Sequence, residues 1–141
     1  IYDVDTGNLL DTIPLQVEAL SLDVSSDNQY LLIAGANEIT QLYNISNRNV
    51  EKTFAGHLDV INECVFLPNN GFIASGSKDK TVKIWDINNK LILKNIQLDA
   101  EVTGIQFSKD ANRVLVTTTD NASLWDTSDV ISSDIFSWSL Y

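Results

Sequence analysis

The chain of 141 residues contains no methionine, one cysteine and one histidine. A single cysteine, Cys64, cannot form an internal disulfide, which favours an intracellular protein. This cysteine and the histidine fall in separate segments without the paired spacing of metal ligands, so we expect no metal and no cofactor. The missing methionine and the lack of a signal-like leader predict that residue 1 is an internal position of a longer chain.

Basic residues are also scarce, because 9 Lys and Arg stand against 19 Asp and Glu, for a formal net charge of −10. Nucleic-acid affinity comes largely from basic side chains that neutralise phosphates, so this charge argues against direct nucleic-acid binding. No apolar run approaches the roughly 18 residues that a membrane-spanning helix needs. The composition is typical of one soluble, globular unit, with no membrane contact expected.

What the sequence does contain is an internal repeat. Four related heptapeptides occur, "IYDVDTG" at residue 1, "LYNISNR" at 42, "IWDINNK" at 84 and "LWDTSDV" at 124. Their aromatic residues, Tyr2, Tyr43, Trp85 and Trp125, are 41, 42 and 40 positions apart. A fixed period of this length is typical of repeat architectures.

Each repeat consists of short β-type segments separated by turn residues. The best example has the segments "VINECVF", "FIASGS", "TVKIWDI" and "LILKNIQL", joined by "LPNNG", "KDK" and "NNK". Such connections are too short for a crossover helix, so an antiparallel meander is predicted. A four-stranded sheet with two apolar faces needs cover on both, which radially stacked sheets give one another. We therefore predict an all-β protein, a β-propeller of four-stranded antiparallel blades without helices.

These residues resemble the WD-repeat β-propeller family, whose units of about 40 to 45 residues carry Gly-His near the start and Trp-Asp near the end. Gly56 and His57 match the first pair, and Trp85 and Asp86 match the second. The family pattern is also met at Ile61, Phe66, Ser75 and Asp79. The resemblance extends over nearly all of residues 1 to 127.

The resemblance implies a hydrogen-bonded chain from Trp85 through Ser75 and His57 to Asp79. Its implied role is structural, because buried polar groups that satisfy one another fix strand register. The same Ser, His and Asp residues are also the parts of a serine hydrolase. However, Ser75 lies inside a predicted strand and lacks the Gly-x-Ser-x-Gly turn that exposes a nucleophile, so the structural interpretation is favoured.

The other repeats depart from the family pattern. The positions of His57, Ser75, Asp79 and Trp85 are held by Leu15, Ile33, Asn37 and Tyr43 in the first repeat and by Leu98, Val116, Asp120 and Trp125 in the third. In the third repeat the spacing from the turn to the tryptophan is one residue shorter. Loss of several partners together can be nearly neutral for stability, so these departures do not contradict the fold.

The domain organisation follows from the repeats. We predict a half blade at residues 1–13, repeats at about 14–50, 51–91 and 92–127, and a divergent tail at 128–141. Propellers close with 4 to 8 blades, so about three and a half blades predict part of a longer chain, most simply a seven-bladed ring. In the tail, Phe136, Trp138 and Tyr141 alternate with smaller residues, which favours a half-buried strand. An inserted loop leading to the next blade and a segment from a different exon choice are the alternatives, so the role of the tail stays open.

We expect a noncatalytic scaffold that binds other proteins and assembles a multiprotein complex. The alternatives are the serine hydrolase and an accessory propeller of a larger enzyme. The connections before each first strand and between the second and third strands should share one rim, whose charged residues are Glu18, Asp59, Lys78, Lys80, Asp99 and Glu101. This rim is predicted to prefer a basic peptide segment, the alternative being an ordinary solvated surface.

Overall fold

The structure, a computed structural model, describes residues 1–9, 12–15, 18–68 and 71–127. This part of the chain contains strands and turns and no helix, which confirms the predicted all-β class. Its eleven strands are β1 (Ala19–Val24), β2 (Tyr30–Gly35), β3 (Ile39–Asn44), β4 (Asn49–Ala55), β5 (Ile61–Phe66), β6 (Phe72–Ser77), β7 (Thr81–Asp86), β8 (Ile92–Gln97), β9 (Val102–Phe107), β10 (Arg113–Thr118) and β11 (Ala122–Asp126).

The strands form three antiparallel sheets in which sequence neighbours pair. The first sheet has the order β1-β2-β3-β4, the second β5-β6-β7-β8, and the third β9-β10-β11. The predicted antiparallel meander is confirmed. The sheets are offset from the sequence repeats, since β4 reaches residue 55 and still pairs with β3, and β8, at residues 92–97, pairs with β7.

Residues 1–9 and 12–15 lie outside the three sheets. At the start of the chain, Tyr2 and Leu9 form one isolated antiparallel bridge around a turn in which the Gly7 amide donates to the Asp3 carbonyl over 2.9 Å. A half blade at residues 1–13 stays a prediction. The tail, with Phe136, Trp138 and Tyr141, lies outside the described residues.

The core lies between the sheets. One cluster joins buried residues of the first and second sheets, Leu32, Ala34, Leu42, Phe54, Ile61, Cys64, Ile73 and Trp85. The other joins the second and third sheets through residues that include Ala74, Val82, Ile84, Val102, Ile105, Val114 and Val116. Because side chains alternate along a strand, the second sheet supplies one face to each cluster. Face-to-face stacking thus covers the two-sided apolar strands, as blades of a propeller do.

The first strand of each sheet lies at a sheet edge, and side chains of the preceding first strand partly cover that edge. In β5 the Cys64 amide donates to Ser21 Oγ over 3.0 Å and the Phe66 amide donates to Asp23 Oδ2 over 2.7 Å, both acceptors lying in β1. In the next pair, Asn62 of β5 donates from Nδ2 to the Val102 carbonyl of β9 over 2.8 Å. Backbone groups that the sheets leave unpaired are satisfied across the sheet interface.

Candidate functional site

The four residues of the predicted hydrogen-bonded chain lie on two strands of the second sheet and in two connections next to it, and the structure brings them together. The Trp85 indole of β7 donates from Nε1 to Ser75 Oγ of β6 over 2.9 Å. Ser75 Oγ lies 2.8 Å from Nε2 of His57, and His57 lies in the connection between β4 and β5. His57 Nδ1 lies 2.8 Å from Oδ2 of Asp79, and Asp79 lies in the turn between β6 and β7.

The directions of these hydrogen bonds follow from the protonation state of His57. Burial lowers the pKa of His57 below its ordinary value of 6.5, against the opposing effect of the Asp79 carboxylate. The ring is therefore neutral at neutral pH, with its proton on Nδ1 beside Asp79. Nε2 then accepts the Ser75 hydroxyl proton, while Ser75 Oγ accepts from Trp85, so each member has a partner.

Asp79 is the anchor of this cluster. Partial burial raises its pKa, but hydrogen bonds from the Thr81 hydroxyl, the Leu58 amide and His57 outweigh that effect and lower the pKa to about 2. The carboxylate accepts from Thr81 Oγ1 at 2.6 Å and from the Leu58 amide at 2.9 Å. Asp79 thereby ties the chain entering β5 to the turn that leads into β7.

Sequence reasoning missed Thr81. Its Oγ1 also lies 3.2 Å from His57 Nδ1, and its amide donates to Asp79 Oδ1 over 2.9 Å. An Asp that accepts from the backbone two residues further on is a common turn motif, so the Asp-Lys-Thr order was the available signal.

The cluster is enclosed. Ser75 has 0% of its surface exposed and His57 has 5%. The Trp85 ring packs edge-to-face against Phe54 of β4, with ring centroids 5.8 Å apart. A catalytic serine needs a hydroxyl that a substrate can reach, and the Ser75 hydroxyl is instead covered by the first and second sheets.

The corresponding positions of the first repeat line a pocket rather than a hydrogen-bonded chain. Leu15, Ile33, Asn37 and Tyr43 surround a volume of about 250 Å³. Apolar side chains at two of these four positions cannot continue a polar network.

The third repeat differs again. Leu98 and Trp125 line a pocket of about 180 Å³, whereas Val116 is buried in the core between the second and third sheets. The third repeat therefore retains the tryptophan and the turn aspartate, Asp120, without a histidine or serine between them.

The register places all predicted rim residues at one edge of the sheets. Equivalent backbone hydrogen bonds recur there, from Ala36 to the Glu18 carbonyl over 3.2 Å, from Lys78 to Val60 over 2.9 Å and from Thr119 to Glu101 over 3.0 Å. Between β1 and β11, the connections at this edge are residues 36–38, 56–60, 78–80, 98–101 and 119–121. We call this the acidic edge.

The two edges differ in charge. The acidic edge carries the carboxylates Glu38, Asp59, Asp79, Asp99, Glu101 and Asp120 and the ammonium groups Lys78 and Lys80, and Glu18 adjoins it before β1. The connections at the opposite edge carry Asp27, Arg48, Lys90, Lys109 and Asp110. Carboxylates thus dominate one edge only. Glu38 and Asp120 were missed from the sequence, although both lie in turns equivalent to that of Lys78 and Lys80.

Two further observations concern residues 1–9, 12–15, 18–68 and 71–127. Within these ranges, no three His, Cys, Asp or Glu side chains come together as metal ligands would. None of these residues forms a helix that is long and apolar enough to cross a membrane.

Successive antiparallel sheets that cover one another face to face, with a Gly-His connection tied to a Trp-bearing strand, define part of a β-propeller of repeated blades. Residues 48–86 match the family described as WD domain, G-beta repeat. The resemblance to the WD-repeat family is confirmed, and residues 48–86 carry a repeat of this family.

Curated relatives agree with this assignment. The chain is 36% identical over 89 residues to WD repeat-containing protein 89 homolog of Dictyostelium discoideum, covering 63% of this chain and 25% of that protein. It is 25% identical over 152 residues to nuclear distribution protein nudF of Aspergillus niger, covering 91% of this chain and 34% of that protein. It is 28% identical over 136 residues to WD repeat-containing protein 37 of Xenopus laevis, covering 92% of this chain and 27% of that protein. The chain spans about a quarter to a third of the length of these relatives.

Proposed function

We propose that the chain is part of a noncatalytic WD-repeat scaffold that binds other proteins and contributes to a multiprotein complex. The similarity to WD-repeat proteins supports the scaffold class. The enclosed Ser75 hydroxyl supports a noncatalytic role, because a serine nucleophile needs an exposed oxygen beside its base. In this proposal His57, Ser75, Asp79 and Trp85 clamp the blade and contact no substrate.

Several finer expectations stand as predictions beside this proposal. A seven-bladed ring, an intracellular location and a multiprotein assembly are consistent with the WD-repeat class. The serine hydrolase has the enclosed Ser75 against it. An accessory propeller of a larger enzyme would place the same noncatalytic blades beside a catalytic domain.

The acidic edge is the surface that we propose binds the partner, through a basic segment of that partner. The observation that carries this proposal is the difference between the two edges: outside the His57 cluster, the acidic edge has five carboxylates with two lysines, whereas the opposite edge has two carboxylates with three basic residues. Complementary charge steers association and makes it sensitive to salt. Asp59, Asp99 and Asp120 are exposed and available for contact.

Fluorescence anisotropy with two labelled peptides, one of alternating Lys and Ser and one of alternating Glu and Ser, tests this proposal. We expect the basic peptide to bind the full chain and the acidic peptide not to bind. The double variant Asp59→Asn with Glu101→Gln should weaken binding about fivefold and flatten its dependence on salt, since each charge at the surface contributes on the order of 0.5 kcal/mol.

The matched control is Asp27→Asn with Asp110→Asn, which removes the same charge from the opposite edge. This control should leave the affinity within about twofold, because exposed charges beyond a Debye length of roughly 8 Å are largely screened. Equal losses in both double variants would mean that only net charge matters and would overturn the acidic edge as the binding surface.

A further inference from the structure

The pocket in the third repeat opens at the acidic edge. It has a volume of about 180 Å³ and lies between the end of β8 and the turn from β10 to β11. The lining residues used below are Leu98, Asp99, Thr118, Asn121, Ser123 and Trp125. They combine an aromatic ring, a carboxylate and several neutral oxygen atoms.

The pocket exists because this repeat has lost the residues that fill the same place in the second repeat. There, the imidazole of His57 lies between Ser75 and Asp79. In the third repeat Leu98 stands at the histidine position, and the turn is one residue closer to Trp125. A leucine side chain offers no hydrogen bond to the neighbouring turn, so space remains beside the indole.

The chemistry of the lining favours a cation. Trp125 is half-buried, packing with Leu98 against the core between the second and third sheets while also lining the pocket. The face of an indole ring attracts a cation, and in proteins this cation is more often an arginine than a lysine. Asp99 is exposed, lines the same pocket and adds a carboxylate, for which a planar guanidinium is a better-matched partner than an ammonium group.

The polar atoms of the β10–β11 turn complete the lining. The Thr118 hydroxyl accepts from the amides of Asp120 and Asn121 over 3.3 and 3.1 Å, so its oxygen is already used. The Ser123 hydroxyl donates to Asn121 Oδ1 over 3.4 Å, and Ser123 Oγ keeps lone pairs that can accept from a further N–H group. A guanidinium carries five such donors, an ammonium three.

We infer that this pocket receives one arginine side chain of the basic partner segment, with the guanidinium against Trp125 and Asp99. The inference rests on the proposed function, since the acidic edge brings the segment to the pocket and the pocket selects the residue. Lys78 and Lys80 lie on the neighbouring turn of the same edge and repel cations. A single arginine is therefore favoured at this point over a run of basic residues.

A two-dimensional ¹⁵N NMR titration of the full chain tests the inference, with the probe peptide acetyl-Ser-Gly-Arg-Gly-Ser-amide. We expect saturable shifts of the Trp125 indole and the Asn121 side-chain amide. The same peptide with citrulline, which keeps the shape of arginine and removes its charge, should cause none. The lysine peptide should bind about threefold more weakly, as expected for loss of the planar stacking contact.

Two variants locate the binding. Asp99→Asn, at an exposed position, and Trp125→Phe should each weaken binding of the arginine peptide about threefold. The control Asp110→Asn removes one carboxylate at the other end of the same sheet and should not change it. Equal affinity in the Asp99→Asn and Asp110→Asn variants, or equal binding of the lysine and arginine peptides, would overturn the arginine pocket.

The same titration separates the pocket from the proposed function. If the alternating Lys and Ser peptide binds the acidic edge but the arginine peptide fails to shift Trp125, the pocket is wrong and the basic partner stands. If neither peptide binds, both proposals fail.

Discussion

Ser75 Oγ lies 2.8 Å from Nε2 of His57, and the serine has no exposed surface. The same oxygen accepts from Trp85 Nε1 over 2.9 Å. One hydroxyl thus serves two buried ring nitrogens, one as donor and one as acceptor. Removing that oxygen would leave both nitrogens without this partner in a place that water cannot easily reach.

The variant Ser75→Ala should therefore be destabilised by about 1–3 kcal/mol, the cost of leaving buried polar groups unsatisfied. Urea unfolding followed by circular dichroism measures the change. Ser46→Ala, in the exposed β3–β4 turn, is the matched control and should stay within about 0.5 kcal/mol of the parent. A stable Ser75→Ala protein with unchanged unfolding would contradict a clamping role for the cluster.

The stability of the fold should fall as the pH drops below about 6.5 because of His57. Burial lowers its pKa below the ordinary value of 6.5, so in this range the unfolded chain binds a proton that the folded chain does not. The His57 contribution to the free energy of unfolding then decreases as the pH falls and is fully present above the unfolded pKa. His57 is the only histidine in 141 residues, so no other imidazole contributes.

Urea titrations from about pH 8 to about pH 5 measure this effect, with His57→Gln as the control that should lack the decrease in this range. The contribution of Asp79, whose pKa falls from 3.8 to about 2, is lost only at lower pH and does not interfere. A rise in stability on acidification would mean that the folded state holds an imidazolium, contrary to the burial argument.

Cys64 should be inert in the folded protein. Its side chain is wholly buried, and burial raises the pKa of the thiol to about 12, so almost no thiolate forms at neutral pH. Ellman's reagent should react with one thiol per chain in urea and with essentially none without it. Fast reaction under native conditions would show that the first and second sheets separate readily.

Gly76 should tolerate no side chain, because it lies in β6 where the third sheet packs against the second. A Cβ atom at this position would clash with Val102 Cγ1 and lie 3.0 Å from Ile105 Cδ1. Overpacking of this kind costs about 1–3 kcal/mol, so Gly76→Ala should lower the urea midpoint clearly.

A double-mutant cycle with Val102→Ala provides the control for this prediction. Shortening Val102 removes the clashing methyl group, so the double variant should lose less stability than the sum of the two single losses. If the stability loss of the double variant equals the sum of the two single losses, the effect of Gly76→Ala arises within β6 and not at the contact between the sheets.

The strands were predictable because alternation and period both come from local sequence. The segment "VTGIQF" coincides with β9, and "TVKIWDI" exceeds β7 by one residue. The His57 cluster was also accessible, since the family resemblance fixes its spacing. The pocket at Trp125 was not, because its volume depends on how β8 sits beside the β10–β11 turn, and no periodic pattern encodes that distance.

Contacts between sheets were the least accessible feature. Ser21 and Cys64 are 43 positions apart, and their hydrogen bond depends on two first strands lying side by side. Nothing in either segment marks a serine as the acceptor for a distant amide. The sequence instead indicated that sheets must stack, which follows from apolar residues on both faces of β6 and β7.

Side chains of β1 form hydrogen bonds with the main chain of β5, and a side chain of β5 does so with β9. A single blade is therefore not a separable module. Cutting the chain just before residue 48, where the family match begins, would strip Ser21 and Asp23 from the amides of Cys64 and Phe66. The excised piece would present unpaired main-chain donors along β5, where strands of other chains could pair. The first strand of each following blade thus has main-chain groups satisfied by side chains of the blade before it.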